Sequence, residues 1–134
     1  KNNLQKYLLQ NNLQNKVKLL GYLNNPFPYI YKSKILILTS KFEGLPNILL
    51  EGQYLRKHLI STDCPTGPKE ILLNGKAGDL IKIGDYKKLF NLIKNNHNRK
   101  KLIFKKIKIG SKNFDRFDYN LNCKKYLDFV NKNI

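Results

Sequence analysis

In FEGLPNILLE, residues 42–51, Glu43 and Glu51 stand with seven residues between them, bracketing a Gly-Leu-Pro-Asn turn and three aliphatic residues. Proline at a helix start gives up no amide that the helix would use, so Pro46 marks the first turn of a helix. Amides around Gly44, Leu45 and Asn47 then face outward with the positive end of the helix dipole behind them, which makes an anion site. Gly44 puts no Cβ between the backbone and a ligand. Glu43 is expected at the loop tip, free to accept hydrogen bonds from hydroxyls. Glu51 follows Asn47 by four residues, on the same helical face and about one turn deeper, where a carboxylate can accept from a vicinal diol. A phosphate flanked by two polyol-reading carboxylates describes a nucleotide sugar.

Such a loop must be held by a strand before it and a helix after it. Short aliphatic runs at 17–21 (VKLLG), 34–40 (KILILTS), 58–63 (HLISTD) and 78–85 (GDLIKIGD) predict strands, each bounded by Gly, Asp, Ser or Pro. Helices are expected between them at 1–15, 27–32, 46–57, 69–73 and 85–95, with Asp85 as the N-cap of the last. The runs are continuous rather than alternating, which suits strands buried on both faces, so the expected fold is a Rossmann-like, doubly wound parallel α/β sheet. In such sheets ligands bind beyond the carboxyl ends of the strands, where 39–47 would lie. After residue 95 the pattern predicts two closing helices with a break near 110–118.

The stretch FEGLPNILLEGQYLRKHLISTDCPTGPKEILLNGKAGDLIKIGD resembles the C-terminal domain of family 4 retaining glycosyltransferases of the GT-B fold, whose E-x7-E motif Glu43 and Glu51 reproduce. The resemblance extends over about 17–130, through VKLLGYLNNPFPYIYKSKILILTS on one side and FDRFDYNLNCKKYLDFV on the other. It implies that Glu43 contacts the donor sugar and is the catalytic-site residue. It further implies that Gly44, Leu45, Pro46 and Asn47 meet the sugar and diphosphate, that Glu51 binds the ribose diol, and that the base lies near Gly21 and Tyr22. The implied activity moves a hexose or N-acetylhexosamine from a nucleoside diphosphate, uridine first, to a glycan or lipid-linked acceptor, with no metal and no cofactor beyond the donor. Residues 1–134 then read as the donor-binding domain of a larger enzyme, with an acceptor domain and an Arg/Lys pair for the diphosphate expected ahead of Lys1. In place of the family's commoner EAMALGKPVIST, Arg56 and His58 replace a glycine and a proline; Arg56 would strain the turn if its φ is positive.

The blander readings concern the remaining motifs. His58, at the start of a buried strand, is expected to be structural, and His97 solvated; neither has a carboxylate at a telling spacing, which argues against a His-based hydrolase. Cys64 reads as a small packed residue, and GPKE at 67–70 as either a phosphate nest or a simple helix start. The run 99–112 interleaves lysines with Leu102, Ile103, Phe104, Ile107 and Ile109. It reads as a helix with its apolar side on the sheet, with a peripheral patch for anionic membrane as the next alternative.

The chain has 26 Lys and Arg against 9 Asp and Glu, a net charge of +17, so its surface favours anionic partners. Codon drift in an AT-rich genome accounts for part of the Lys and Asn. No RNP-type aromatics, helix-turn-helix or zinc spacing supports nucleic acid. Two cysteines far apart fit a reducing cytosol, and no run approaches the roughly 20 apolar residues of a membrane span. A nucleotide-sugar epimerase of the same fold and a non-catalytic basic binding module are the competing readings.

Overall fold

The computed structural model describes residues 2–133. His58–Thr62 (β2) is buried along its whole length and forms the centre of a three-stranded parallel sheet, between Ile35–Leu38 (β1) and Asp79–Ile81 (β3). Ile35 pairs with His58 and Leu38 with Ser61, while Ile60 pairs with Asp79 and Thr62 with Ile81. The apolar runs thus become a mixed α/β layout with helices covering a parallel sheet, as their continuity suggests. β1 is less covered: Ile37 is 38% exposed.

Helices alternate with the strands. Asn2–Gln10 (α1) and Phe27–Lys32 (α2) precede β1, Asn47–Tyr54 (α3) joins β1 to β2, and Pro68–Ile71 (α4) joins β2 to β3. Tyr86–Lys94 (α5), Lys100–Lys112 (α6) and Tyr119–Asn133 (α7) follow. Leu49 of α3, Leu59 of β2, Ile71 and Leu72 make the buried core, with Leu36, Leu38, Leu50, Leu80 and Phe117 packed on it. Each such side chain contributes on the order of 1.5–3 kcal/mol relative to exposure. Gly52 sets how closely α3 approaches the sheet: a Cβ there would stand 2.4 Å from Leu36 Cδ2 and 2.7 Å from Leu59 Cδ2.

Several boundaries differ from the sequence expectation. Residues 17–20 form no strand; they follow α1 without ladder hydrogen bonds, with Val17 and Leu20 exposed. An apolar run becomes a strand only where another strand lies alongside, and among the described residues β1 pairs with β2 alone. The first helix ends at Gln10, before Asn12 in the left-handed region (φ 53°), and its expected first residue, Lys1, lies outside the described residues. Gly110 sits inside α6 rather than in a break, because its missing side chain makes room for Gln53 of α3, whose Nε2 would be 2.5 Å from a Cβ. The break itself lies within the expected 110–118, at a 3-10 segment, Phe114–Phe117.

α3 stops at a Schellman turn. Arg56 N–H donates to Gln53 O at 3.0 Å and Lys57 N–H to Gly52 O at 2.8 Å, and Arg56 itself has φ 55°. This conformation suits glycine, so arginine here is strained as its place in the sequence suggests.

At the amino ends of β2 and β3, polar groups replace the apolar core. Asp79, 8% exposed, accepts from Arg99 Nη2 at 3.0 Å on both carboxylate oxygens, lies 2.8 Å from His58 Nε2, and pairs with Lys106 Nζ at 3.1 Å. His58 Nδ1 lies 3.1 Å from Asn96 Oδ1, so both ring nitrogens face oxygen. Burial pushes the Asp79 carboxyl up, but hydrogen bonds from His58, Arg99 and Lys106 outweigh it and hold the group well below the usual carboxylate range. His58 is therefore structural, as expected, though it does have a carboxylate partner. That partner lies 21 residues away in sequence.

Candidate functional site

β1 ends at Leu38, and residues 39–46 carry the chain round to α3 at the carboxyl end of the sheet. Pro46 occupies the cap position, one residue before the helix rather than in its first turn, with φ −73° and ψ 99°. Its ring fixes φ, and its carbonyl accepts the Leu49 N–H at 2.9 Å, so the helix is started by backbone alone. Pro46 is buried, whereas Gly44, Leu45 and Asn47 are exposed. The free amides at the head of α3 therefore face solvent, with the helix dipole behind them.

The loop is held from the far side by the segment after β2. Thr66 Oγ1 donates to Glu43 O. Gly67, at φ 83° and ψ −64°, packs so tightly on the motif that a Cβ would stand 2.0 Å from Gly44 O and 2.5 Å from Pro46 Cδ. Thr62 Oγ1 donates to Ser40 O at 2.6 Å, tying the ends of β1 and β2 together. Gly67 thus does two things at once. It opens α4, and it clamps the Glu43–Pro46 loop through a backbone approach that any side chain would block.

Gly44 is different. A Cβ there would meet nothing within 4 Å, and its φ is not positive. Packing within the chain does not require glycine at 44; an approaching ligand would.

Glu43 and Glu51 are both half-buried, and their carboxylates make no hydrogen bond or ion pair within the described residues. In a chain with so many lysines, two unpaired carboxylates are available acceptors. Glu51 is placed by Gly52, which seats α3 against Leu36 and Leu59, and shares a helical face with Asn47. Gly21 (φ 69°) and Tyr22, 90% exposed, lie on the irregular segment before α2, and no hydrogen bond links them to the loop. The structure therefore brings Glu43, Gly44, Leu45, Pro46, Asn47 and Glu51 onto one loop and helix start, and leaves Gly21 and Tyr22 on a separate segment.

Beside the loop, a cleft of 320 Å³ opens across the carboxyl ends of all three strands, lined by Thr39, Lys41, Thr62, Ile81, Asp85 and Tyr86 among others. Asp85 caps α5, its Oδ1 accepting the Lys88 N–H at 2.9 Å. Lys41 supplies a cation at the mouth of this cleft. Neither Lys41 nor the Thr66–Gly67 clamp is distinguished by sequence spacing alone. The one signal for the clamp is the Thr-Gly-Pro run of 66–68, where a glycine precedes a proline that starts a helix.

The sequence model of the family described as Glycosyl transferases group 1 matches residues 1–97. A glycosyltransferase of Methanocaldococcus jannaschii described as uncharacterized is 49% identical over 72 residues, 54% of this chain and 18% of that protein. A Campylobacter jejuni protein, named N-acetylgalactosamine-N,N'-diacetylbacillosaminyl-diphospho-undecaprenol 4-alpha-N-acetylgalactosaminyltransferase, is 30% identical over 119 residues, 87% of this chain and 33% of that protein. The crystal structure of Anabaena HepE in complex with UDP superposes with a TM-score of 0.83 at 16% identity, covering 99% of this chain and 36% of the other. That likeness shows the fold. The chain spans between about a fifth and a third of the length of these curated relatives.

Proposed function

The chain belongs to the group 1 glycosyl transferases, and from that premise we propose that it is the donor-binding part of a retaining family 4 enzyme. The donor is a nucleoside diphosphate sugar, a UDP-hexose or UDP-N-acetylhexosamine, and the acceptor a glycan or a lipid-linked sugar. The observation that carries this reading is the loop from Glu43 to Pro46, clamped by Gly67, with exposed amides at the start of α3 and an unpaired carboxylate on each side. The Campylobacter relative, named as a transferase to a diphospho-undecaprenol carrier, and the UDP complex of the Anabaena protein support it.

In this reading Glu43 and Glu51 form the E-x7-E motif. The backbone amides of Gly44, Leu45 and Asn47 stabilise the negative charge that develops on the diphosphate as the anomeric carbon leaves it. Glu43 holds the sugar hydroxyls, Glu51 accepts from the ribose diol, and Gly21 and Tyr22 border the base. No metal and no further cofactor takes part, and an Arg/Lys pair and an acceptor domain ahead of Lys1 complete the site. The enzyme works in the cytoplasm, at the inner face of the membrane when its acceptor is lipid-linked. Among the described residues, no helix is long and apolar enough to cross a membrane.

Glu51→Ala tests the assignment. Loss of a charge-assisted diol contact should weaken UDP binding by ~1–3 kcal/mol, measured by calorimetry, with an unchanged far-ultraviolet circular dichroism spectrum. The 2′,3′-dideoxy analogue should lose much less. An equal loss for both, or none for either, would show that Glu51 does not read the ribose.

A further inference from the structure

We propose a second phosphate-binding site, at the amino-terminal end of the sheet and centred on Arg56. It goes beyond the donor site, which lies at the carboxyl end of β1. The ligand is a phosphate group, either free in solution or carried by a lipid headgroup.

Two clefts meet there. One, of 480 Å³, is lined by Lys34, Arg56, Lys57, His58 and Lys100 together with polar and aliphatic groups from α6 and the turn before it. The other, of 400 Å³, is lined by Arg56, Phe104, Lys108 and Lys112 with two smaller or aliphatic residues of α6. Arg56 and Ile107 line both, so the two clefts adjoin at these residues. No Asp or Glu lines either one. Phe104, Lys108 and Lys112, at intervals of four along α6, line the second cleft, and Lys100, a turn earlier, lines the first.

The nearest buried acid does not neutralise this surface. Asp79 is already engaged by His58, Arg99 and Lys106, and its charge is used within that cluster. Lys34, Arg56 and Lys100 make no ion pair with a described carboxylate, and neither does Lys57, whose Nζ instead donates to Tyr31 O and lies over the Tyr31 ring. His58, 2% exposed, is fixed through both ring nitrogens and gives the first cleft a rigid polar floor. A concave site of unpaired cations concentrates anions.

Arg56 supplies the independent argument. The turn after α3 would be cheaper with glycine at φ 55°, yet an arginine sits there, and its side chain lines both clefts. Backbone strain retained at a position whose side chain faces a ligand-sized cavity points to a use for that side chain. Guanidinium is also the cation best shaped for two oxygens of one phosphate.

The test is calorimetric titration of the 134-residue chain with inorganic phosphate at fixed ionic strength, with UDP present in excess to fill the donor loop. Phosphate should still bind. Arg56→Gly, which relieves the turn and so does not endanger folding, should weaken it by about tenfold, and Lys34→Ala with Lys100→Ala by at least as much. Lys124→Ala with Lys125→Ala on α7, a charge-matched change elsewhere, should leave it unaltered. In a second arm, vesicles of one part phosphatidylglycerol to three of phosphatidylcholine are added. Competition with phosphate, sensitive to the same variants, assigns the ligand to lipid; absence of competition assigns it to soluble phosphate. The proposal fails if phosphate does not bind whether UDP is present or absent, if Arg56→Gly leaves phosphate binding unaltered, or if the α7 variant loses as much as the Arg56 variant. Absence of UDP binding would count against the donor reading, and phosphate titrated without UDP would still report this site through the same variants.

Discussion

Gly67 and Gly44 meet backbone to backbone, so that a Cβ on Gly67 would stand 2.0 Å from the Gly44 carbonyl oxygen. The two glycines answer different demands. At 67 the requirement comes from inside the chain, where a positive φ and a neighbouring main chain leave no room for a side chain. At 44 the space beyond Cα is open, and only something arriving from outside would require it.

Substitutions at the two positions should therefore separate. Gly67→Ala should destabilise the fold by at least about 1–3 kcal/mol, through left-handed strain and overlap with the loop, and should lower the melting temperature. Gly44→Ala should melt with the wild type but bind UDP more weakly. Equal melting losses for both would mean that the loop is held by something other than the Gly67 contact.

Arg56→Gly should raise stability by about 1 kcal/mol, since glycine adopts the left-handed cap without a Cβ penalty. Urea unfolding reads this directly. A destabilised variant would show that Arg56 contributes packing along its aliphatic stem that exceeds the strain.

The charge cluster at the amino ends of β2 and β3 should make stability acid-sensitive. The Asp79 carboxyl is depressed in the folded chain, so its stabilisation is complete above the unfolded carboxylate pKa of about 3.9 and is lost as pH falls through the lowered folded value. Asp79→Asn leaves Arg99 and Lys106 without their counter-charge and should cost ~3–5 kcal/mol at neutral pH. The difference between wild type and variant, followed by chemical unfolding, should stay constant down to about pH 4 and narrow below it. A gap that widened on acidification would contradict the assignment.

What could be read from the sequence was what is encoded locally. Phe27–Lys32 and the Asp85 cap are set by a proline or an aspartate next to its own helix, and the break between Leu38 and Asn47 is announced by Gly44 and Pro46. The left-handed Arg56 was legible because a turn that usually takes glycine carries another residue. Residues 17–20 were not, because an aliphatic run does not reveal whether a neighbouring strand is present to pair with it. The bond between His58 and Asp79 spans 21 residues, and those between Asp79 and Arg99 span 20. Such pairings arise from the parallel crossover of β2 to β3 and from α6 folding back, which no spacing rule in the sequence records. The Gly67 clamp is of the same kind. Its glycine is visible as a turn residue, but the loop it presses against lies more than twenty positions earlier.

The central claim is that the head of α3 and its loop form a diphosphate site, and UDP against uridine at one fixed salt concentration tests it most directly. Calorimetry on this chain should give UDP a dissociation constant at least about tenfold below that of uridine, since each charge-assisted hydrogen bond to phosphate contributes roughly 1.5–3 kcal/mol. The advantage should shrink in Gly44→Ala. Equal affinities for the nucleoside and the diphosphate, or an advantage that Gly44→Ala leaves intact, would contradict the account.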